Sequence, residues 1–377
     1  MRTIVYFITI ILFSWGAHIH AQTPDDDRTL IRKTLSNYIE GTSYRRLDLI
    51  TKAFHPDAVL ILSRKDQPIW KINPETYSSW FARGEAGSHT GRIGEIVNIQ
   101  IDGHIATAKV EILIPTRKTR FADLFLLKKV DNTWLIISKT ADRRVSNTTG
   151  KRILFIVSSA DKHGSLDQRA GASFGELVEA YDVFKKAGYT VDFISSRGGA
   201  TPLSYIDTTN PLHKKYLYNA DFMDALANTK TAAKLQASDY AAVHYIGGSN
   251  AMYQVPEDQM IQKLVMQVYE DHQGIISAVC HGTAGIVHLK KKDGSYLVSG
   301  KRISGYPEEY ERQDAAYFKA FPFLIGKTIE DRQGRFRYSP RNTPHVEVDG
   351  RIVTGQNYLS SAGVAQAIIQ QIESVKK

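Results

Sequence analysis

The chain of 377 residues contains a single cysteine, Cys280. The segment around it, Ile275-Ile276-Ser277-Ala278-Val279-Cys280-His281-Gly282-Thr283-Ala284-Gly285, reads as an apolar strand running straight into a helix start. A thiol at such a turn would face free backbone N–H groups and the positive end of a helix dipole, which favour thiolate over thiol. That is the setting of a nucleophile. A proton carrier and donors for a developing oxyanion would complete the site. His281 follows the cysteine directly, and Gly247-Gly248, ending an upstream apolar strand, would offer N–H groups that a substrate can approach because glycine has no side chain. The competing expectation is a buried cysteine acting as a small hydrophobe; the adjoining His281, Gly282, Ala284 and Gly285 favour chemistry.

The elements that must hold this turn alternate between strand and helix. From Lys151 onward, apolar strands are expected over 153–157, 191–194, 241–246 and 275–279. Between them, Phe174, Leu177, Val178, Tyr181 and Phe184 form one helical stripe, and a helix over 257–270 carries Met260, Ile261, Leu264, Val265 and Val268 inward. Residues 201–235 are polar and irregular. This is the pattern of an α/β domain with a doubly wound parallel sheet, in which ligands sit at the carboxyl ends of strands. Cys280 occupies such an end.

Residues 25–142 read differently, as an α+β domain. Leu30, Ile31, Leu35, Tyr38 and Ile39 share a helical face that Leu47, Ile50 and Phe54 continue, and Asn73-Pro74-Glu75 looks like a helix cap with proline in the first turn. Strands are expected over 95–101, 105–114, 121–130 and 133–139, with hairpin turns at Asp102-Gly103 and Asp131-Asn132. Polar, turn-rich residues 143–150 are the expected linker, leaving 151–377 to the second domain.

Composition bounds the function. With 42% apolar and 23% charged residues the chain is globular, and its net charge of +9 is dispersed rather than clustered, which gives no reason to expect nucleic acid. Residues 1–21 have the grammar of a secretory leader: Arg2, an apolar run over 4–15 shorter than the ~20 residues of a membrane span, and Ala21 before Gln22 as the cut. An exported, periplasmic or secreted soluble protein without a stable membrane anchor is expected. One cysteine excludes a disulfide within the chain. No histidine spacing suggests a metal.

Around the cysteine the resemblance to a known family is specific. Ala278-Val279-Cys280-His281-Gly282, Ile246-Gly247-Gly248 and Thr354-Gly355-Gln356-Asn357 resemble the ThiJ/PfpI superfamily over residues 151–372, with a flavodoxin-like fold. The insertion over 201–235 is similar to its branch of chaperone-like, glutathione-independent glyoxalases. That resemblance implies a glutamate beside the thiol, five residues after a glycine, and Gly171 and Glu176 match; on the helical wheel alone Glu176 lies off the apolar stripe and faces solvent. It also implies an acid that orients the histidine, for which Ser304-Gly305-Tyr306-Pro307 leads to Glu308, Glu309 and Glu311, with Glu311 chosen by spacing. The implied reaction needs no cofactor. Cys280 adds to a 2-oxoaldehyde such as methylglyoxal, the Gly247-Gly248 region stabilises the oxyanion, Glu176 moves a proton between the two carbons, and His281 assists release of a 2-hydroxy acid.

The first domain resembles the nuclear transport factor 2-like cone, in its SnoaL-like and lumazine-binding branch, through Tyr38-Ile39-Glu40-Gly41, Ala53-Phe54-His55-Pro56-Asp57-Ala58 and Asn132-Thr133-Trp134-Leu135-Ile136-Ile137. The resemblance implies a pocket, for which His55 and Asp57 are candidates, and a homodimer. Rival readings remain. Glycated protein in place of a small aldehyde would make the chain a deglycase. His345-Val346-Glu347 has the spacing of an amidotransferase-like thiol hydrolase or peptidase, which would require His345 rather than His281 at the sulfur. A stress holdase or ligand-binding envelope protein would need neither.

Overall fold

The computed structural model describes residues 24–146 and 150–374; the leader read over 1–21 lies outside them. The first domain comprises α1 (Pro24–Ser43), α2 (Leu47–Ala53), β1 (Phe54–Arg64), β2 (Gln67–Ile72), α3 (Pro74–Ser79), β3 (Ile93–Asp102), β4 (Ile105–Ile114), β5 (Thr119–Val130) and β6 (Thr133–Val145). Its sheet has the order β2-β1-β6-β5-β4-β3, antiparallel except for β1 beside β6. Ile31, Leu35 and Tyr38 of α1 pack into it with Phe54, Phe125 and Trp134. Both hairpins turn where expected: Gly103 (φ 56°), Asp131 (φ 48°) and Asn132 (φ 61°) take the left-handed conformation that a tight hairpin demands. Asn73 caps α3 through the Thr76 N–H at 2.8 Å.

Three expectations are corrected. Phe54 does not extend a helix; Pro56 follows, and the chain turns into β1, a strand not anticipated, as β2 was not. The segment read as a linker from 143 begins as sheet, because Arg143, Arg144 and Val145 pair with Phe121, Arg120 and Thr119. His55 and Asp57 lie at the outer start of β1 and not in a pocket: the His55 Nδ1 accepts the Asp57 N–H, and the Asp57 side chain is 92% exposed. The cone interior is instead closed by Tyr38, which accepts from Tyr77 and donates to Asp123 at 2.6 Å, and by Lys139, which donates to the other Asp123 oxygen at 2.9 Å.

The second domain comprises β7 (Arg152–Ile156), β8 (Ala172–Ser173), α4 (Phe174–Lys186), β9 (Val191–Ile194), β10 (Leu203–Ser204), α5 (Pro211–Leu217), α6 (Ala220–Ala227), β11 (Tyr240–Tyr245), α7 (Gln259–Glu270), β12 (Ile275–Val279), β13 (Arg302–Ile303), α8 (Ala316–Lys319), α9 (Ile325–Asp331), β14 (Arg335–Phe336), β15 (Val346–Asp349), β16 (Ile352–Gly355) and α10 (Ser361–Ser374). The main sheet runs β15-β16-β12-β11-β7-β9, parallel apart from the edge hairpin of β15 with β16. Its five parallel strands follow the flavodoxin-like order, with a crevice beside the first strand where successive connections leave in opposite directions.

Alternate residues of β7 face opposite cores. Ile153 and Phe155 pack with α4 and α10, whereas Leu154 and Ile156 pack with α7. Of the expected inward residues on α7, Ile261, Leu264, Val265 and Val268 are buried; Met260 is 51% exposed, because it sits beside the Asp258 cap, a turn off the apolar stripe.

The domains meet through polar pairs rather than an apolar seam. Glu95 on β3 accepts from Arg152 at 2.6 Å and from Lys230 at 2.7 Å. Asn98 and Lys109 bond Asp221 on α6, Arg28 reaches Asp224 at 3.3 Å, and Lys185 reaches Glu111 at 3.3 Å. The first domain therefore grips the insertion that follows β10.

Candidate active site

Strand β12 delivers Cys280 into a short 3-10 turn, Cys280–Ile286, with φ +54° at the cysteine. A side chain held in the left-handed region stores strain that the surroundings must enforce. Small residues enforce it here. A Cβ on Gly282 would stand 2.4 Å from the Tyr245 carbonyl oxygen, and one on Gly247 would stand 2.5 Å from a Glu176 oxygen and 2.9 Å from the Cys280 Cβ. Only glycines let β11, β12 and α4 converge this closely.

The imidazole of His281 bridges two groups. Its Nδ1 lies 3.4 Å from the Cys280 Sγ, and its Nε2 lies 2.6 Å from Glu311 Oε1. Glu311 is thus the acid brought to the histidine. Glu308 instead accepts from the Lys327 amide, and Glu309 stands by Tyr338. Burial alone would raise the Glu311 carboxyl, but hydrogen bonds from His281 and from Tyr317 hold it below its usual value; the Tyr317 hydroxyl donates to Oε2 at 2.8 Å. Tyr306 stacks on the imidazole at 5.0 Å. The roles of these two tyrosines were not anticipated, because Tyr306 comes from a loop and Tyr317 from the four-residue helix α8, neither long enough to show a periodic pattern.

Glu176 lies in the first turn of α4, whose Ser173 cap accepts its N–H. The solvent-facing position suggested by the helical wheel is overturned: Glu176 is 2% exposed. The wheel places it off the stripe that faces the sheet, but the end of β11 and the cysteine turn cover the start of the helix from above. It stands beside Cys280 in the cavity wall, and its Oε2 accepts the Gly247 N–H at 2.9 Å. Burial raises its carboxyl to about 7, against the opposing influence of His281 and of the Gly247 N–H.

Two expectations about charge are corrected. The thiol was expected to be favoured as thiolate by the turn; burial, and then the neighbouring Glu176, push it up, and the His281 N–H only partly opposes them. The physical reason is that a short 3-10 turn has a weak dipole, while desolvation is nearly complete at a cysteine 7% exposed. Cys280 and Glu176 therefore titrate as a pair that avoids two negative charges. Secondly, the Gly247 N–H is committed to Glu176 and does not face a substrate. Gly248, at φ +98°, lines the cavity, and its N–H has no partner among the described residues.

These groups share a cavity of about 690 Å³, with Tyr205, His213 and Arg341 on its further walls. His345 is not at the sulfur. It bonds Ser339 at 2.7 Å and Glu347 at 3.1 Å, beside edge strand β15, so the amidotransferase-like arrangement is not formed. What the site brings together is a buried thiol, a carboxyl poised to exchange protons near neutral pH, an imidazole held by a carboxylate, and a backbone amide.

Known proteins are similar to each part of the chain. Residues 26–141 match the family described as "Putative lumazine-binding", which agrees with the nuclear transport factor 2-like first domain. Glyoxalase 3 of Candida albicans is 30% identical over 233 residues, covering 59% of this chain and 98% of that protein. A glutathione-independent glyoxalase of Schizosaccharomyces pombe is 28% identical, covering 60% of this chain and 100% of that protein. The crystal structure of glyoxalase III from Candida albicans aligns with a TM-score of 0.54 at 26% identity, over 59% of this chain and 97% of that one. The DJ-1/PfpI family pattern itself extends over residues 170–371, from Ala170 ahead of Glu176 into the final helix, and on that match the chain belongs to the DJ-1/PfpI family.

Proposed function

We propose that the protein is a glutathione-independent glyoxalase-like enzyme, acting with water on 2-oxoaldehydes such as methylglyoxal and working after export from the cytoplasm. The observation that carries the reading is the buried juxtaposition of Glu176 and Cys280, both lining one cavity, with a Glu176 oxygen 2.5 Å and the Cys280 Cβ 2.9 Å from the position a Cβ on Gly247 would take. The similarity to glyoxalases of two yeasts supports it.

Glu176 accepts the thiol proton as sulfur attacks the aldehyde carbon. The S–C bond forms, the carbonyl pair moves to oxygen beside the Gly248 N–H, and the proton passes from Glu176 to that oxygen, giving a hemithioacetal. Ionised again, Glu176 removes the hydrogen of the same carbon; the electron pair flows into the neighbouring carbonyl as an enediolate. Return of the proton to the second carbon, with the hydroxyl proton of the first carbon passing to the second oxygen, leaves a thioester of the 2-hydroxy acid. Water then adds to the thioester, giving a proton to His281, whose orientation Glu311 fixes. The C–S bond breaks, the thiol recovers its proton, and the sum is oxoaldehyde plus water to 2-hydroxy acid.

A carboxyl with a pKa of about 7 suits this task, since it must both take and give protons near neutrality. The test is to incubate the purified mature chain with methylglyoxal in the absence of glutathione and identify the product. Lactate formation that disappears in Cys280→Ala and in Glu176→Gln supports the reading. Consumption that survives Cys280→Ala refutes it.

A further inference from the structure

His213 lies on α5, within the insertion that walls the cavity opposite the cysteine turn, and the proposed chemistry leaves it unused. It is 7% exposed, with its ring edge-on to Phe174 at 5.4 Å. The Nδ1 accepts the Asp207 N–H at 3.0 Å, so the proton of the neutral ring sits on Nε2. That Nε2–H has no hydrogen-bond partner among the described residues. It lies beside Gly175, where a Cβ would stand 3.2 Å from Nε2, and both residues line the cavity with Glu176 and Cys280. A donor on an otherwise buried ring, open to a ligand cavity and without a protein partner there, is placed for a ligand oxygen.

The size of the cavity points the same way. At about 690 Å³ it falls among pockets that enclose ligands of drug size, roughly 300–1,000 Å³. A three-carbon oxoaldehyde bonded to Cys280 would leave most of it empty.

We propose that His213 is a specificity-determining residue whose Nε2–H takes an oxygen on the substrate's tail, so that the site selects 2-oxoaldehydes hydroxylated beyond the two carbonyl carbons. The proposal rests on the glyoxalase reading and extends it to the substrate class. Tyr205, held at φ +58° directly after β10, and Tyr306 provide aromatic walls along which such a tail would lie.

The experiment compares methylglyoxal with 3-deoxyglucosone, a six-carbon 2-oxoaldehyde hydroxylated along its tail, using the full chain, His213→Phe and His213→Gln. Phenylalanine keeps the packing on Phe174 and removes the donor; the glutamine amide reaches the Nε2 position. For the longer substrate, kcat/KM should fall about five- to tenfold in His213→Phe, the loss of one neutral hydrogen bond, mainly through KM. Methylglyoxal turnover should stay within about twofold, and His213→Gln should recover most of the loss. Equal losses on both substrates, or no loss on the longer one, overturn the assignment of His213. If the unaltered protein consumes neither aldehyde, the glyoxalase reading itself fails.

Discussion

Replacing Glu176 with glutamine should make the second domain more stable in mild alkali, a gain that reports directly on the buried carboxyl. Its pKa stands at about 7 in the folded protein, against 4.5 for an unperturbed carboxyl. Between these values the folded state holds a proton that the unfolded chain has released, so stability falls as pH rises through that window and levels off above about 7. At about 1.4 kcal/mol per pH unit, the ionised carboxylate costs the fold about 3 kcal/mol. Glutamine keeps an acceptor for the Gly247 N–H and carries no charge. The two proteins should therefore match near pH ~5 and differ by about 3 kcal/mol near pH ~8, roughly 6–12 °C in melting temperature for a domain of this size. Calorimetry is the suitable assay, because Trp70, Trp80 and Trp134 all lie in the first domain and tryptophan fluorescence does not follow the second. The comparison must be a difference between variants. His244, held by burial down at about 3, opposes the trend: the unfolded chain protonates it below about 6.5 while the folded protein does not, so its own contribution is lost as pH falls. A difference between Glu176→Gln and the parent that does not change with pH would refute the assigned burial and the coupling to Cys280.

Other perturbations separate positioning from chemistry. Glu311→Gln should lower kcat on the order of 100-fold with little change in KM, because the imidazole loses the carboxylate held 2.6 Å from Nε2; steady-state kinetics checks this. Gly248→Ala should cost more than about 2 kcal/mol in denaturant unfolding, since a Cβ there would stand 2.4 Å from the Gly171 carbonyl oxygen at a φ of +98°. Glu95→Gln should weaken the grip between the domains by about 1–2 kcal/mol, Arg152 retaining Asp192 at 3.0 Å, with calorimetry at low and high salt as the measurement. Sequencing the N-terminus of the exported protein should return Gln22 as its first residue.

Much of the fold was legible because its signals are local. The apolar run Ile275 to Val279 became β12 without adjustment, Asp131-Asn132 turned as a tight hairpin, and the alternation of strand and helical stripe determined a doubly wound sheet. Those patterns depend on side-chain period and on which residues tolerate a left-handed backbone, both readable within a dozen positions. The placing of Cys280 at the carboxyl end of a strand followed from the same reading. β1 was lost for a corresponding reason: Phe54 fits a helical face as well as a strand start, and only pairing with Ile136 decides between them.

What the sequence could not determine was charge. A lone cysteine at a turn predicts an easily ionised thiol from its local dipole, yet the tertiary structure surrounds it with α4, β11 and a second acid, and desolvation outweighs the dipole. Glu176 and Gly247 are 71 residues apart in sequence, and their hydrogen bond both buries the carboxyl and consumes the amide expected to face substrate. His213 reaches the same cavity from an insertion with no readable pattern. Residue types and their spacing determined the available chemistry; the pKa values, the free donors and the room for substrate depend on solvent excluded by distant segments, and only the folded chain decides those.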